Sequence, residues 1–283
     1  MKKTVKILIT SILAVTFVLT NVSSALAKTN EFNSSAKPQN SNSKTYVVGN
    51  TKIVTFDGKN STRVEVYENS ILNHVSTVDK ITGNITEDIN GIKNTKNISQ
   101  FLTVEKSTTP KTLTNTSYVI LPPEGGGGDI APAGFYFMDT WYGYIGAPYL
   151  TGYLWGKDSV NYGPAKHLQF STGTIVGTIV GIIIGLIPGV NAIAIITALG
   201  GGISGAIIGS YIDGNIYAVD YYKDLKVTVK NILEVSTYRF TRYARVLNYK
   251  TGKVENQYVG KYGNWNENSS LIYNGVVNYV ATH

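Results

Sequence analysis

The chain has 283 residues, a formal charge of +7 from 25 Lys and Arg against 18 Asp and Glu, and no cysteine. The absence of thiols excludes disulfide staples, a cysteine nucleophile and lipid attached through sulfur. The mild positive balance suits an anionic bacterial surface but falls far short of a polybasic footprint, so no nucleic-acid partner is expected.

Met1-Lys2-Lys3, an apolar run from Ile7 to Leu19 and the small-residue site Ala25-Leu26-Ala27 read as a secretory signal peptide over residues 1–27. An uncleaved anchor is the weaker reading, because the run is short for a membrane span. Residues 28–45 are rich in Asn, Ser, Thr and Lys and read as a disordered leader. From Tyr46 the pattern becomes short alternating runs, "KIVTF", "TRVEVY" and "ILNHVSTV", with Asp57-Gly58 between the first two. Asp-Gly between alternating runs signals a hairpin, and a small β-rich domain is expected over 46–121. Three prolines and five glycines in "LPPEGGGGDIAPAG" can continue neither a helix nor an interior strand, which makes 122–134 a linker. The four-glycine run lacks the Gly-Lys-Ser/Thr ending of a phosphate loop.

Beyond the linker lie 17 of the 20 tyrosines and all three tryptophans, Trp141, Trp155 and Trp265. This is the stretch 135–283, whose centre carries no ionisable side chain from Leu168 to Ile212 except Tyr211. Within it "GTIVGTIVGIIIGLIPG" places Gly173, Gly177, Gly181, Gly185 and Gly189 at every fourth position. Each interior helix Gly costs about 1 kcal/mol relative to Ala, so a compensating contact is required. Glycines four apart form a stripe on which two helices can approach backbone to backbone. Gly201, Gly205 and Gly209 repeat the device, and Pro188, Gly189 and Asn191 supply a turn between two arms. Each arm is then about 30 Å long, the thickness of a bilayer core. The expectation is an α+β protein whose membrane-active domain, 135–283, holds a glycine-zipper helical hairpin over 168–212. Aromatic-rich segments and β-strands flank that hairpin, and Trp141, Trp155, Tyr211 and Tyr217 would suit the headgroup interface. Residues 226–283 return to alternation, with a hairpin around Thr251-Gly252.

Other readings of the apolar block stay open at this point. Ile, Val and Thr favour strands, but both faces of such a strand would be apolar, unlike a membrane barrel. The block could be the buried core of an ordinary domain, or an anchor in the producer's own membrane. Gly200, Gly202 and Gly205 satisfy G-x-G-x-x-G, with Asp220 or Asp224 some way on, yet the repeated strand-helix units of a dinucleotide fold are missing. His74, His167 and His283 stand alone, with neither H-E-x-x-H nor Gly-x-Ser-x-Gly. No catalytic residues, metal ligands or cofactor are expected, and the chain reads as a non-enzyme.

The signal peptide, "TYVVGNTKIVTFDGKNSTRVEVYE" and "GTIVGTIVGIIIGLIPGVNAIAIITALGGGISGAIIGSYIDG" together resemble the geobacillin-type family of large, unmodified Gram-positive bacteriocins. That resemblance implies a secreted antibacterial protein active on related bacteria, and an immunity protein in the producer. With the hairpin, it predicts a protein that inserts into and permeabilises the target membrane, aided by a receptor or by homo-oligomerisation there. A surface-anchored wall-binding or adhesive protein is the alternative.

Overall fold

A computed structural model describes residues 42–104, 128–145 and 149–283. The signal peptide, most of the leader and most of the linker lie outside the described residues. The described residues divide into two compact units, 42–102 with 169–188 and 192–213, and 103–104, 128–145 and 149–168 with 189–191 and 214–283.

The first unit is built on a six-stranded antiparallel meander of β1 (Asn42–Val48), β2 (Thr51–Asp57), β3 (Ser61–Glu68), β4 (Ile71–Asp79), β5 (Asn84–Ile89) and β6 (Ile92–Asn97). Its turns are set locally. Asp57-Gly58 turns β2 into β3, with the Lys80 ammonium on the Asp57 carboxylate at 2.6 Å and on the Gly58 carbonyl at 2.7 Å. Asn69-Ser70 and Asn90-Gly91 have positive φ at both central positions, the backbone twist that two-residue hairpins require. Period-2 alternation places Ile53, Val64, Val66, Val78 and Ile85 on one buried face, together with Thr55, His74, Ser76 and Glu87.

Onto that face packs α1 (Val176–Leu186), which makes its contacts with β2, β3 and β4. Its residues from Val176 to Ile184 are all buried, which explains a helix apolar on every side. Proline at 188 stops it. The shorter α2 (Ala192–Ala198) ends in a Schellman turn, in which Gly200, at φ +78°, donates to the Thr197 carbonyl and Gly201 donates to that of Ile196.

The expected hairpin of two membrane-length helices is therefore corrected. The arms are 11 and 7 residues long, the first about 16 Å, and the second arm continues as β11 (Ile203–Ser204) and β12 (Ile207–Ile208). No helix among the described residues is long and apolar enough to cross a membrane. The fold is mostly β rather than the α+β arrangement around a glycine-zipper hairpin, and the pore-forming mechanism that rested on that hairpin falls with it. The physical reason lies in the Ile, Val and Thr composition. These side chains bury as readily against a sheet as against a second helix, and the Gly200-Gly201 pair caps α2 early.

The second unit centres on long strands. The short β7 (Leu102–Val104) is followed by β8 (Tyr136–Tyr144), β9 (Tyr149–Tyr162) and β10 (Lys166–Phe170), and later by β13 (Ile212–Val229), β14 (Ile232–Asn248) and β15 (Val254–Gly263). One path through the sheet runs β15-β14-β13-β10-β7, while β9 also pairs with β13 and carries β8. Lys230-Asn231, both at positive φ, turns β13 into β14, and Gly252 at φ +67° shapes the next turn. Helix α3 (Asn268–Thr282) closes a core of Leu150, Leu154, Leu225, Val227 and Val229 with its own Leu271, Ile272 and Val276. Gly152 and Gly275 allow this approach, since a Cβ would stand 2.6 Å from Ile272 Cγ2 and 2.5 Å from Val227 Cγ1 respectively.

Burial changes side along β13. Ile216 is buried on one face, beside Val246 and Ala244 of β14, whereas Val219, Leu225, Val227 and Val229 are buried on the other.

Candidate functional site

Two constellations stand out, one in each unit. In the first, the α1 start is pinned to the sheet by polar groups. The Gly177 N–H donates to His74 Nε2 at 3.2 Å, and the Thr178 hydroxyl donates to the Glu87 carboxylate at 2.7 Å. Ser76 lies 3.3 Å from the same hydroxyl, and Lys96 pairs with Glu87 at 2.8 Å. Burial lowers the His74 pKa to about 4 against the opposing pull of Glu87, so the ring is neutral at pH 7 and can accept. These groups satisfy one another beneath the helix and form a structural lock.

The second constellation is on the β13-β14-β15 sheet, where register sorts aromatic and cationic side chains onto both faces. One face carries Tyr222, Phe240 and Tyr262, stacked at 4.5 and 5.0 Å between centroids, with Tyr238 alongside. The Arg242 guanidinium lies 5.4 Å from the Phe240 and Tyr262 rings and grips Asp220 through two hydrogen bonds of 2.7 Å. The Asp220 carboxylate raises the Arg242 pKa above its ordinary value.

The opposite face, beyond the part that α3 covers, bears Tyr221, Tyr243 and Tyr258 in edge-to-face contacts of 5.7 and 5.9 Å. Beside them Trp265 receives Arg239 at 5.2 Å and Lys261 at 4.5 Å from its ring centroid, and its indole N–H donates to the Tyr262 carbonyl. Lys223 stands next to Arg239 in the register and is held by the Tyr136 hydroxyl at 2.7 Å and the Asp158 carboxylate at 3.3 Å. Burial pulls the Lys223 ammonium down, but the Tyr136 and Asp158 partners outweigh it and leave its pKa raised. Tyr221, Tyr258 and Trp265 are 46%, 55% and 40% exposed, so this strip faces solvent. It offers cations and phenol hydroxyls to a ligand.

The structure disperses the residues singled out from sequence. Gly177 and Gly181 do permit close approach, but to β-strands: a Cβ would lie 2.7 Å from His74 Nε2 and 2.8 Å from Val78 Cγ2. Gly173, at φ +85°, precedes α1, and Gly185 has open space at its Cβ position. Gly201 belongs to the α2 cap, Gly205 turns β11 into β12 against Glu68, and Gly209 donates to the Gly202 carbonyl. Pro188 ends α1, Gly189 has a positive φ of 87°, and Asn191 precedes α2. Trp155 is fully buried with its N–H on Thr228, Trp141 packs edge-on to Tyr273, Tyr211 accepts from the Gln169 side chain, and Tyr217 tilts against Tyr162. Of these, Trp155 is fully buried and reaches no surface. The solvent-facing strip has a signal in "YRFTRYARV", where Tyr, Arg and Thr recur at the period of a strand. Among the described residues no three His, Asp or Glu side chains gather as metal ligands. No protein-family model, curated protein or solved structure matches the chain.

Proposed function

We propose that this chain is a secreted antibacterial protein of the bacteriocin kind, which acts at the envelope of related Gram-positive bacteria and holds its target through the C-terminal sheet. The observation that carries the reading is the solvent-facing strip of Tyr221, Tyr243, Tyr258 and Trp265 with Lys223, Arg239 and Lys261. Cations on a bacterial-surface protein meet an anionic envelope, and aromatic groups fix their position. The signal-like N-terminus supports export, and the resemblance of the quoted segments supports the antibacterial role, with an immunity protein in the producer as its corollary. Binding rather than catalysis is the activity proposed.

The test is growth inhibition by the purified protein beginning at Lys28, on a panel of related Gram-positive bacteria, with cell-bound protein measured in parallel. Inhibition accompanied by binding is the expected result, and a protein that neither binds nor inhibits any of them overturns the reading. The same strip also suits a wall-binding or adhesive protein of the producer. That second reading predicts protein retained on the producing cells rather than free in the medium.

A further inference from the structure

The strip on the α3 side of the sheet has features that narrow what it can hold. Its tyrosine rings lean on one another edge to face. Tyr221 meets Tyr243 at an interplanar angle of 88° and Tyr243 meets Tyr258 at 73°, so each ring is wedged against the next. Arg239 and Lys261 occupy the Trp265 ring. Stacking of bases or sugar rings needs a free aromatic face, and these edge-to-face contacts engage part of the surface of each ring. The same face carries the phenol hydroxyls and the cations of Lys223, Arg239 and Lys261, with Arg245 farther along β14. These are donors, and the acid beside them, Asp158, is already engaged by Lys223 and Tyr136.

The strip is also linear. From Arg239 to Arg245 a strand advances about 20 Å. Helix α3 packs on this same face over Val227, through Ile272, Val276 and Gly275, and forms a shoulder about 10 Å thick at one end of the strip. A flat bilayer is held away by that shoulder, whereas a single polymer chain can lie along the strand.

We propose that this strip binds a linear polyol-phosphate polymer of the bacterial wall, its phosphodiester oxygens received by Arg239, Lys261 and Lys223 and by the Tyr221 and Tyr258 hydroxyls. Charge complementarity supplies the attraction, and Trp265 holds two of the cations in place before the polymer arrives. The inference rests on the envelope-binding reading above and names the partner of that site.

The experiment measures binding of the full mature chain to purified poly(glycerol phosphate), following Trp fluorescence, at low and at physiological salt. Parallel arms use phosphatidylglycerol–phosphatidylcholine vesicles and an oligothymidylate. The parent is expected to bind the polymer in a salt-weakened manner, and Arg239→Gln/Lys261→Gln to lose about tenfold or more in affinity. Tyr221→Phe/Tyr258→Phe, which keeps the rings and removes the hydroxyls, is expected to lose less but measurably. Lys59→Gln, at an exposed cation in the turn between β2 and β3, is expected to bind as the parent does. Circular dichroism verifies that each variant is folded, and should the double Gln variant misfold, the Phe variant decides. The proposal is overturned if the parent does not bind the polymer, if the folded strip variants bind as the parent does, or if vesicles or oligothymidylate bind as tightly. Growth inhibition by the same proteins separates the two readings. A parent that kills without binding polymer sinks this inference alone, and one that binds polymer without inhibiting any strain sinks the antibacterial reading alone.

Discussion

The Gly177 N–H points at His74 Nε2 at 3.2 Å, so an orphan donor in the first turn of α1 is capped by a histidine more than a hundred residues away in sequence. Val176 N–H is likewise taken by the Ala206 carbonyl at 2.9 Å. The helix has no side-chain cap of its own, and its start is fixed by tertiary partners.

Burial of the His74 ring makes stability depend on pH. The His74 pKa falls from 6.5 in the unfolded chain to about 4 in the folded one, so the unfolded state takes up the proton first as acid is added. The stabilisation is fully present above pH 6.5 and is lost as pH falls toward 4, by about 3 kcal/mol in all. Urea unfolding across this range is expected to show the loss, and His74→Gln, which has no proton to take up, is expected to flatten the curve between those limits.

The glycines of α1 separate into two kinds. Gly177→Ala and Gly181→Ala place a methyl against His74 and Ser76 or against Val78, and are expected to destabilise by about 1–3 kcal/mol. Gly185→Ala meets nothing within 4 Å and is expected to be neutral or to stabilise by up to about 1 kcal/mol. Urea midpoints of the three variants provide the check. Equal stabilisation of all three by Ala would show that helix propensity, not the sheet contact, governs these positions.

These positions mark how much was legible in the sequence. Glycines four apart announced a close backbone approach, yet the pattern is silent on the partner, because Val64 of β3 and Val78 of β4 present the same apolar surface as a second helix. Asp57-Gly58 and Thr251-Gly252 announced their hairpins, since turn chemistry is local. The Lys230-Asn231 turn did not announce itself, since neither residue is a glycine. The aromatic–cationic strip was spread over Lys223, Arg239, Tyr258 and Trp265, and only the strand register of β13, β14 and β15 gathers them.

The Asp220–Arg242 pair is nearly dry on its acidic side, with Asp220 5% exposed. Removing one partner strands a charge, so Arg242→Met is expected to cost about 3 kcal/mol. Asp220→Asn added to Arg242→Met is expected to recover much of that loss. A double-mutant cycle by urea unfolding measures the coupling, and strict additivity would show that the two side chains do not support each other.

Docking of α3 depends on two residues without side chains. Gly275→Val is expected to push the helix off Val227 and Gly152→Val to push it off Ile272, each costing about 2 kcal/mol or more. Amide hydrogen exchange should then show α3 losing protection before β13 and β14 do. Simultaneous loss of protection in helix and strands would indicate that they unfold as one cooperative unit.

The change of buried side along β13 makes that strand intolerant of a change in length. Ile216 and Leu225 belong to cores on opposite faces, and the parity of the residues between them decides that each arrives on its own side. Deleting Tyr217 or Ala218 would leave both flanking segments with faultless local patterns and turn one of them inside out relative to the other. The strand therefore works as an alignment gauge, in which the number of residues matters more than their identity.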